Sequence, residues 1–398
     1  MGTDNIAEII QNTIKYIETK EYKSYDLYDA LTNPVINYLT HPFPYLRRVA
    51  IQINSKSFID IHWTGMKKMI HTKTISDLLW YYSIKKEHQT SLIAASNPDI
   101  SKINQLYSTL IDLKIPDFYA WGLNFPYTSR FINASSNTPN IYNTINTGIA
   151  ICYSLEYLNA KNRENAFKVL KGIIEFLIND MWSVDEKGQG WFQYYPGQKY
   201  PTYNVNALIL YFLVFIQKRI KVLDFDLKDK IQAIINLLCK EQQTNGSWAY
   251  ARSPRGRWID GFHTGFILES LAFAKKEGIN SPELDLALSK GNHFYVKNLF
   301  TNDSYVKYFS NSSKYPIEAQ SYAQAIKTLS ILGNWDLLKK DSLLNDVISK
   351  AIKYLYNEKG FFYFKKTKYF TFKTPYFRWS LTPMILALEH ANQYMKMK

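Results

Sequence analysis

Four aromatic turns recur at one spacing. Trp191, Trp248, Tyr305 and Phe362 stand 57 residues apart in succession, in the strings GQGWFQYYP, TNGSWAY, NDSYVKYF and EKGFFYF. An apolar-periodic helix follows each turn, with starts expected near Tyr142, Tyr203, His263, Glu318 and Trp379. A fixed period of this length marks an array of identical supersecondary units and excludes most single-sheet architectures. Second helices are expected over 164–181, 226–243, 282–298 and 343–357, so each unit is a helix hairpin. The first helix of each hairpin, as in VNALILYFLVFI, is apolar nearly all round and must lie between two layers. The second is apolar on one face. An inner ring inside an outer ring satisfies both patterns. The expected fold is therefore mainly all-α, an α/α toroid with short β-turn or hairpin insertions at its mouth.

The first 120 residues fit the template poorly. Helices are expected near 4–18, 24–39 and 101–113, with extended structure within 53–68. This part is read as a cap that completes the ring and 121–398 as the repeat-built toroid, together one structural domain.

Composition narrows the function. A content of 46% apolar residues excludes a disordered chain, and two cysteines, Cys152 and Cys239, exclude a disulfide scaffold. The N-terminus MGTDNIAEII has no apolar leader, and the most apolar run, Ala207–Ile216, is too short to span a bilayer. A cytoplasmic protein without a transmembrane segment is expected. The formal charge of +14 comes from short, scattered basic runs. Such a surface favours anionic partners but forms no nucleic-acid arm. Motifs for phosphate loops, dinucleotides, zinc proteases and nucleophile elbows are missing, and His62, His71, His88 and His293 lack metal-ligand spacing. No cofactor and no metal are expected.

The chemistry concentrates in the loops before the inner helices. The stretch 246–269, GSWAYARSPRGRWIDGFHTGFILE, gathers Trp248, Tyr250, Arg252, Arg255, Arg257, Trp258, Asp260 and His263. Asp260 either caps the next helix or moves protons with His263. The stretch 191–206 offers Trp191, Tyr194, Tyr203 and Asn206, either as packing or as a platform for sugar rings. Glu318, with Tyr322 behind it, caps a helix or supplies a second carboxyl. Arg378 and Trp379 are placed toward the ring axis. The candidate catalytic residues are Asp260, His263, Glu318, Tyr203 and Tyr250. The candidate substrate-binding residues are Trp191, Tyr194, Asn206, Trp248, Arg252, Arg257, Tyr322, Arg378 and Trp379. With Arg130, Lys314 and Lys373 beside them, these arginines predict a basic mouth and an anionic guest.

The string QQTNGSWAY is similar to the QxxxGxW repeat of triterpene cyclases, but their DxDD and DDxxD acids have no counterpart here. Lanthionine cyclases share the toroid, but neither cysteine here is followed by His. The ordered strings AWGLNFPYTSR, GWFQYYPGQKYPTYNVNAL, QTNGSWAYARSPRGRWIDGFHTGFILESL, YPIEAQSYAQAIKTL and GFFYFKKTKYFTFKTPYFRWS resemble the VpsJ-type proteins of bacterial polysaccharide-biosynthesis clusters. That resemblance implies capsule or exopolysaccharide assembly, in a possible synthesis complex. Trp191–Pro196 with Asn206 also looks like the helical domain of glucuronyl C5-epimerases, and six-hairpin glycosidases share the architecture. These resemblances imply a carbohydrate-active enzyme acting on a uronate-containing oligo- or polysaccharide, or a lipid- or phosphate-linked sugar, by epimerase- or lyase-type proton abstraction. The alternatives are a glycoside hydrolase using Asp260 and Glu318, and a non-catalytic glycan-binding scaffold.

Overall fold

A computed structural model describes residues 3–56, 65–87, 98–129, 132–332 and 340–397. Within these residues the helices run, in chain order, α1 (Thr3–Thr19), α2 (Pro34–Thr40), α3 (Pro44–Lys56), α4 (Thr72–Glu87), α5 (Pro98–Asp112), α6 (Ile141–Ser154), α7 (Ala160–Phe176), α8 (Tyr203–Arg219), α9 (Lys228–Glu241), α10 (Gly261–Lys276), α11 (Pro282–Asn298), α12 (Ala319–Ile331), α13 (Lys340–Leu355) and α14 (Thr382–Lys396).

Six of them close a ring: α4 packs on α6, α6 on α8, α8 on α10, α10 on α12, α12 on α14, and α14 back on α4. Helices α5, α7, α9, α11 and α13 each back the inner helix that precedes them, and α1 backs α14. Burial explains the division. Every residue of α8 from Tyr203 to Ile216 is buried, as an inner helix requires. Outer α7 buries one stripe, Ala166, Val169, Leu170, Ile173 and Ile174, and presents its charges to solvent. The chain is thus an α/α toroid of six hairpins. Its first helix closes the ring against its last.

All short strands fall in the connections from outer to inner helices, on the side where the inner helices begin. The pairs are Lys23–Ser24 with Met69–Ile70, Tyr127–Thr128 with Asn133–Ala134, and Trp182–Val184 with Gly190–Phe192. A three-stranded patch joins Ile317–Glu318, Lys365–Lys366 and Thr371–Phe372. Side-chain caps start three of the six inner helices from this side: Asn140 for α6, Asp260 for α10 and Glu318 for α12. Six parallel helix N-termini therefore converge on one mouth, and their dipoles give it a positive potential.

The N-terminal expectations need correction. The helix expected over 24–39 is broken: a strand, a 3-10 turn at Asp29–Thr32 and α2 replace it. Proline explains the break, because Pro34 disfavours a helical Asn33, which instead caps α2 through Val35 and Ile36. Helix α3 runs into the segment expected to be extended, of which 57–64 lies outside the described residues. The innermost helix of this part, α4, was not expected at all. Ile17 of α1 is fully buried against the ring. Ile17→Ala should cost roughly 2–5 kcal/mol in a urea melt, because the cavity would open where the ring closes. An unchanged midpoint would show that α1 is a loose appendage.

Candidate active site

Asp260 and His263 meet at the mouth. Asp260 Oδ1 accepts the His263 backbone N–H at 2.8 Å, which is the N-cap bond of α10. Its Oδ2 lies 2.6 Å from His263 Nδ1 and accepts the Trp258 indole N–H at 3.0 Å. Three donors saturate the carboxylate, so Asp260 orients rather than attacks. A carboxylate at Nδ1 selects the imidazole tautomer with the proton on Nδ1, which leaves Nε2 as an acceptor. The ring is held by aromatics: Tyr250 edge-on at 4.7 Å and Phe262 at 5.1 Å. Tyr250 in turn stacks on Trp258 at 4.5 Å and 13°.

Phenols surround this pair. Tyr28, Tyr127, Tyr194 and Tyr250 are half-buried and lie close enough to raise one another's pKa. Burial is the larger cause; it lifts Tyr127 and Tyr194 to about 12 and raises Tyr28 and Tyr250 well above the ordinary phenol value. These hydroxyls stay protonated and act as hydrogen-bond donors, not as bases. Tyr308 completes the arc, within the field of both Glu318 and Asp260. Glu318 is buried, and its Oε2 accepts Ser321 N and Oγ at 2.8 and 2.6 Å. Burial raises its pKa against those bonds, so this carboxyl holds a proton more tightly than an exposed one.

Across the mouth, a π-turn at Phe377–Leu381 carries Arg378 and Trp379. Arg378 pairs with buried Asp26 through Nε and, at 2.8 Å, through Nη2. Asp26 also accepts the Trp379 indole N–H at 3.1 Å and the Tyr28 N–H at 3.0 Å. This pair fixes two aromatics, whose rings meet edge-to-face at 5.3 Å. Beneath the mouth, a cavity of about 30 Å³ is lined by Lys73, Asp77, Trp80, Tyr142, Gln324 and Lys327. That volume suits a water molecule and is too small for a sugar.

Several expected site residues point elsewhere. Trp248 is buried and donates to Leu238 O of outer helix α9, as Trp121 does to Leu110 O of α5. The repeated tryptophan turns are thus struts between layers. Trp191 and Tyr322 are buried in the core, and Asn206 ties Phe192 N and O to Thr202 O. Tyr203 donates to Glu241 at 2.5 Å, on the outer helix. Arg252 is ion-paired with Asp185 at 2.6 Å and Glu241 at 2.8 Å. Arg255, Arg257, Lys314 and Lys373 are exposed, and Arg130 lies outside the described residues. Arg252 and Arg378 thus answer internal carboxylates and are not free to hold a guest. Local sequence gave no sign of Asp26, Tyr28 or Tyr127, which come from distant segments. Among the described residues, no three His, Cys, Asp or Glu side chains converge as a metal-ligand set.

No family model matches the chain, and none of the curated proteins matches it in sequence. Solved structures do match in fold. Cellobiose 2-epimerase from Bacillus thermoamylovorans superposes with a TM-score of 0.60 at 12% identity, over 82% of this chain and 88% of that one. A possible member of the GH105 family from Salmonella enterica serovar Paratyphi A gives 0.59 at 10% identity, over 100% and 95%. A GH76 α-mannanase from Bacteroides thetaiotaomicron gives 0.54 at 12% identity, over 82% and 87%. By fold the chain belongs among the α/α toroids, and at these identities the likeness is one of fold alone.

Proposed function

We propose that this protein is a carbohydrate-active enzyme that moves a proton on a sugar carbon beside a carbonyl, as an epimerase or isomerase does. The observation that carries this reading is the 2.6 Å contact between Asp260 and His263 Nδ1 at a mouth walled by phenols. In this reading His263 Nε2 takes the proton, and the electron pair moves onto the carbonyl oxygen. Hydroxyls of the Tyr194 and Tyr250 arc and the helix N-termini stabilise that oxyanion. Glu318, held towards its protonated form by burial, is the candidate donor for the return step. Aromatic faces at Trp258, Tyr250 and Trp379 supply stacking surface for the sugar. The named activities of two fold neighbours, cellobiose 2-epimerase and D-mannose isomerase, agree with this class of chemistry.

Arg252 and Arg378 are committed to internal carboxylates, so we place the substrate among neutral sugars before uronates. The exopolysaccharide setting implied by the sequence resemblance guides the choice of sugars, and the whole ring, cap included, is taken as one working unit. The test is turnover in D2O with cellobiose, mannose and uronate oligosaccharides, read by NMR. Deuterium at C2 of a neutral sugar is expected. Deuterium only at C5 of uronates would restore the anionic guest. New reducing ends without deuterium would establish hydrolysis by Asp260 and Glu318. Binding without turnover would make the mouth a glycan-binding scaffold.

A further inference from the structure

Between α1 and α4 the chain inserts α2 and α3, and their burial is inverted. The stripe of α3 turned into the protein is Arg47, Ile51 and Asn54, which includes an arginine and an amide. Arg47 ties the two helices together, donating to Asn37 Oδ1 at 2.9 Å and to Thr128 Oγ1 at 3.4 Å. Asn54 bonds Leu27 O and Asp29. The outward surface carries the large apolar groups instead: Tyr38 is 81% exposed, Tyr45 66%, Val35 65%, Leu39 64% and Phe43 57%. Leu46 and Ile53 extend the same exposed surface. Helix α2 buries none of its residues. A soluble monomer scatters its exposed hydrophobes; a concentration in one short hairpin marks a surface that is covered in use.

Charge chooses what covers it. The chain has 34 acidic residues in 398, yet none falls between Ala30 and Ile59. The cations at the border are placed for a negative surface. Arg48 lies over the Tyr45 ring at 5.3 Å. Lys67 and Lys68 are exposed beside Met66, which packs in the same small cluster as Ile51. Among the described residues no helix is long and apolar enough to cross a membrane. Apolar and aromatic groups on one side, cations at the edge and no acid within the hairpin are the features of an interfacial anchor, and the neighbouring Asp29 is buried. Tyrosines suit the headgroup depth, where one end of the ring is wet.

We propose that α2, the Pro42–Pro44 turn and α3 dock this protein on an anionic membrane surface. The turn presents Phe43 as the most deeply placed side chain, flanked by Tyr38 and Leu39. The insertion adjoins the mouth through Tyr28 and Tyr127, which pack against the Ala30, Leu31, Ile51 and Met66 cluster. A docked protein therefore holds its mouth beside the lipid surface. This inference does not rest on the catalytic reading, so the two fail separately.

The experiment is vesicle co-sedimentation of the full chain, with phosphatidylcholine alone and mixed with phosphatidylglycerol. The wild type should bind the mixed vesicles about tenfold or more tightly than the neutral ones, and the preference should shrink with salt. Tyr38→Ser with Leu39→Ser and Phe43→Ser should lose about tenfold or more on both. Arg48→Glu should lose the preference while keeping the weak apolar term. Val222→Ser, at an exposed site far from the insertion, should bind as the wild type does. Equal binding to both vesicles, or none to either, overturns the proposal. So does a dimer by light scattering that the triple variant converts to monomer, which would show a second copy on this face.

Discussion

Replacing His263 by Gln is expected to lower kcat/KM by roughly 10²–10⁴ while the melting temperature stays within a few degrees. The side chain is half-buried at the mouth, and Gln can fill most of the space between Tyr250 and Phe262 that the ring leaves. Asp260→Asn should fall by a similar factor for a different reason. Asn remains a good cap, since its Oδ1 can still accept the His263 N–H. Its amide N–H₂ then faces the two donors that Oδ2 now receives, Trp258 Nε1–H and His263 Nδ1–H. The imidazole must shift its proton to Nε2 to accept at Nδ1, and the group that should take a proton then carries one. The loss should appear in kcat, with KM little changed. Two results would sink the assignment. If Asp260→Asn unfolds the chain, the carboxylate's role is structural and not catalytic. If His263→Gln keeps full activity, the proton goes to another group.

The contrast between these residues and their neighbours shows what a linear reading captures. Inner helices α8, α10, α12 and α14 were legible because an aromatic turn announces each one, and α6 because its start falls one period before α8. The start of α10 was legible down to its side chains, because an N-cap acid and the residue three positions on are forced together. Helix α4 has no such turn before it, so the sequence TKTISDLLWYYSIKKE passed unnoticed. Its apolar run from Leu78 to Tyr82, directly after Asp77, was the available signal. Arg252 misled for the opposite reason. Its loop is dense in arginine, but its partners come from the preceding turn, Asp185, and an outer helix, Glu241. Glu241 lies 11 positions away on another element and Asp185 lies 67 away, outside any local window. The same holds for Asp26 and Arg378, which are 352 positions apart.

That pair carries the second large effect. Arg378→Met should destabilise the protein by about 3–5 kcal/mol at neutral pH, because it leaves a buried carboxylate uncompensated. The pH dependence identifies the cause. Burial alone would raise the Asp26 pKa, and the Arg378 charge and hydrogen bonds outweigh it and hold the group below its ordinary value. In the wild type that contribution is present above the unfolded pKa of about 3.9 and is lost only as the pH falls through the lower folded value. Without Arg378 the burial remains and the sign reverses: the folded pKa rises above the unfolded one, so stability is lost as the pH climbs past about 4. The gap between wild type and variant should therefore widen from acid towards neutral pH in urea melts. The other groups around Asp26 are Tyr28, His71 and Asp29. Burial lifts Asp29 to about 8 and holds the His71 imidazole below its ordinary value, and the Arg378 charge lowers both, so the variant's curve also carries their shifts. Asp26→Asn removes the titrating group and strands the guanidinium instead, so it should be as costly at neutral pH without the acid recovery. Because Asp26 also holds the Tyr28 N–H and the Trp379 indole, both variants should raise KM for a sugar more than they lower kcat. A flat gap across pH would show that Arg378 acts by packing and not by charge.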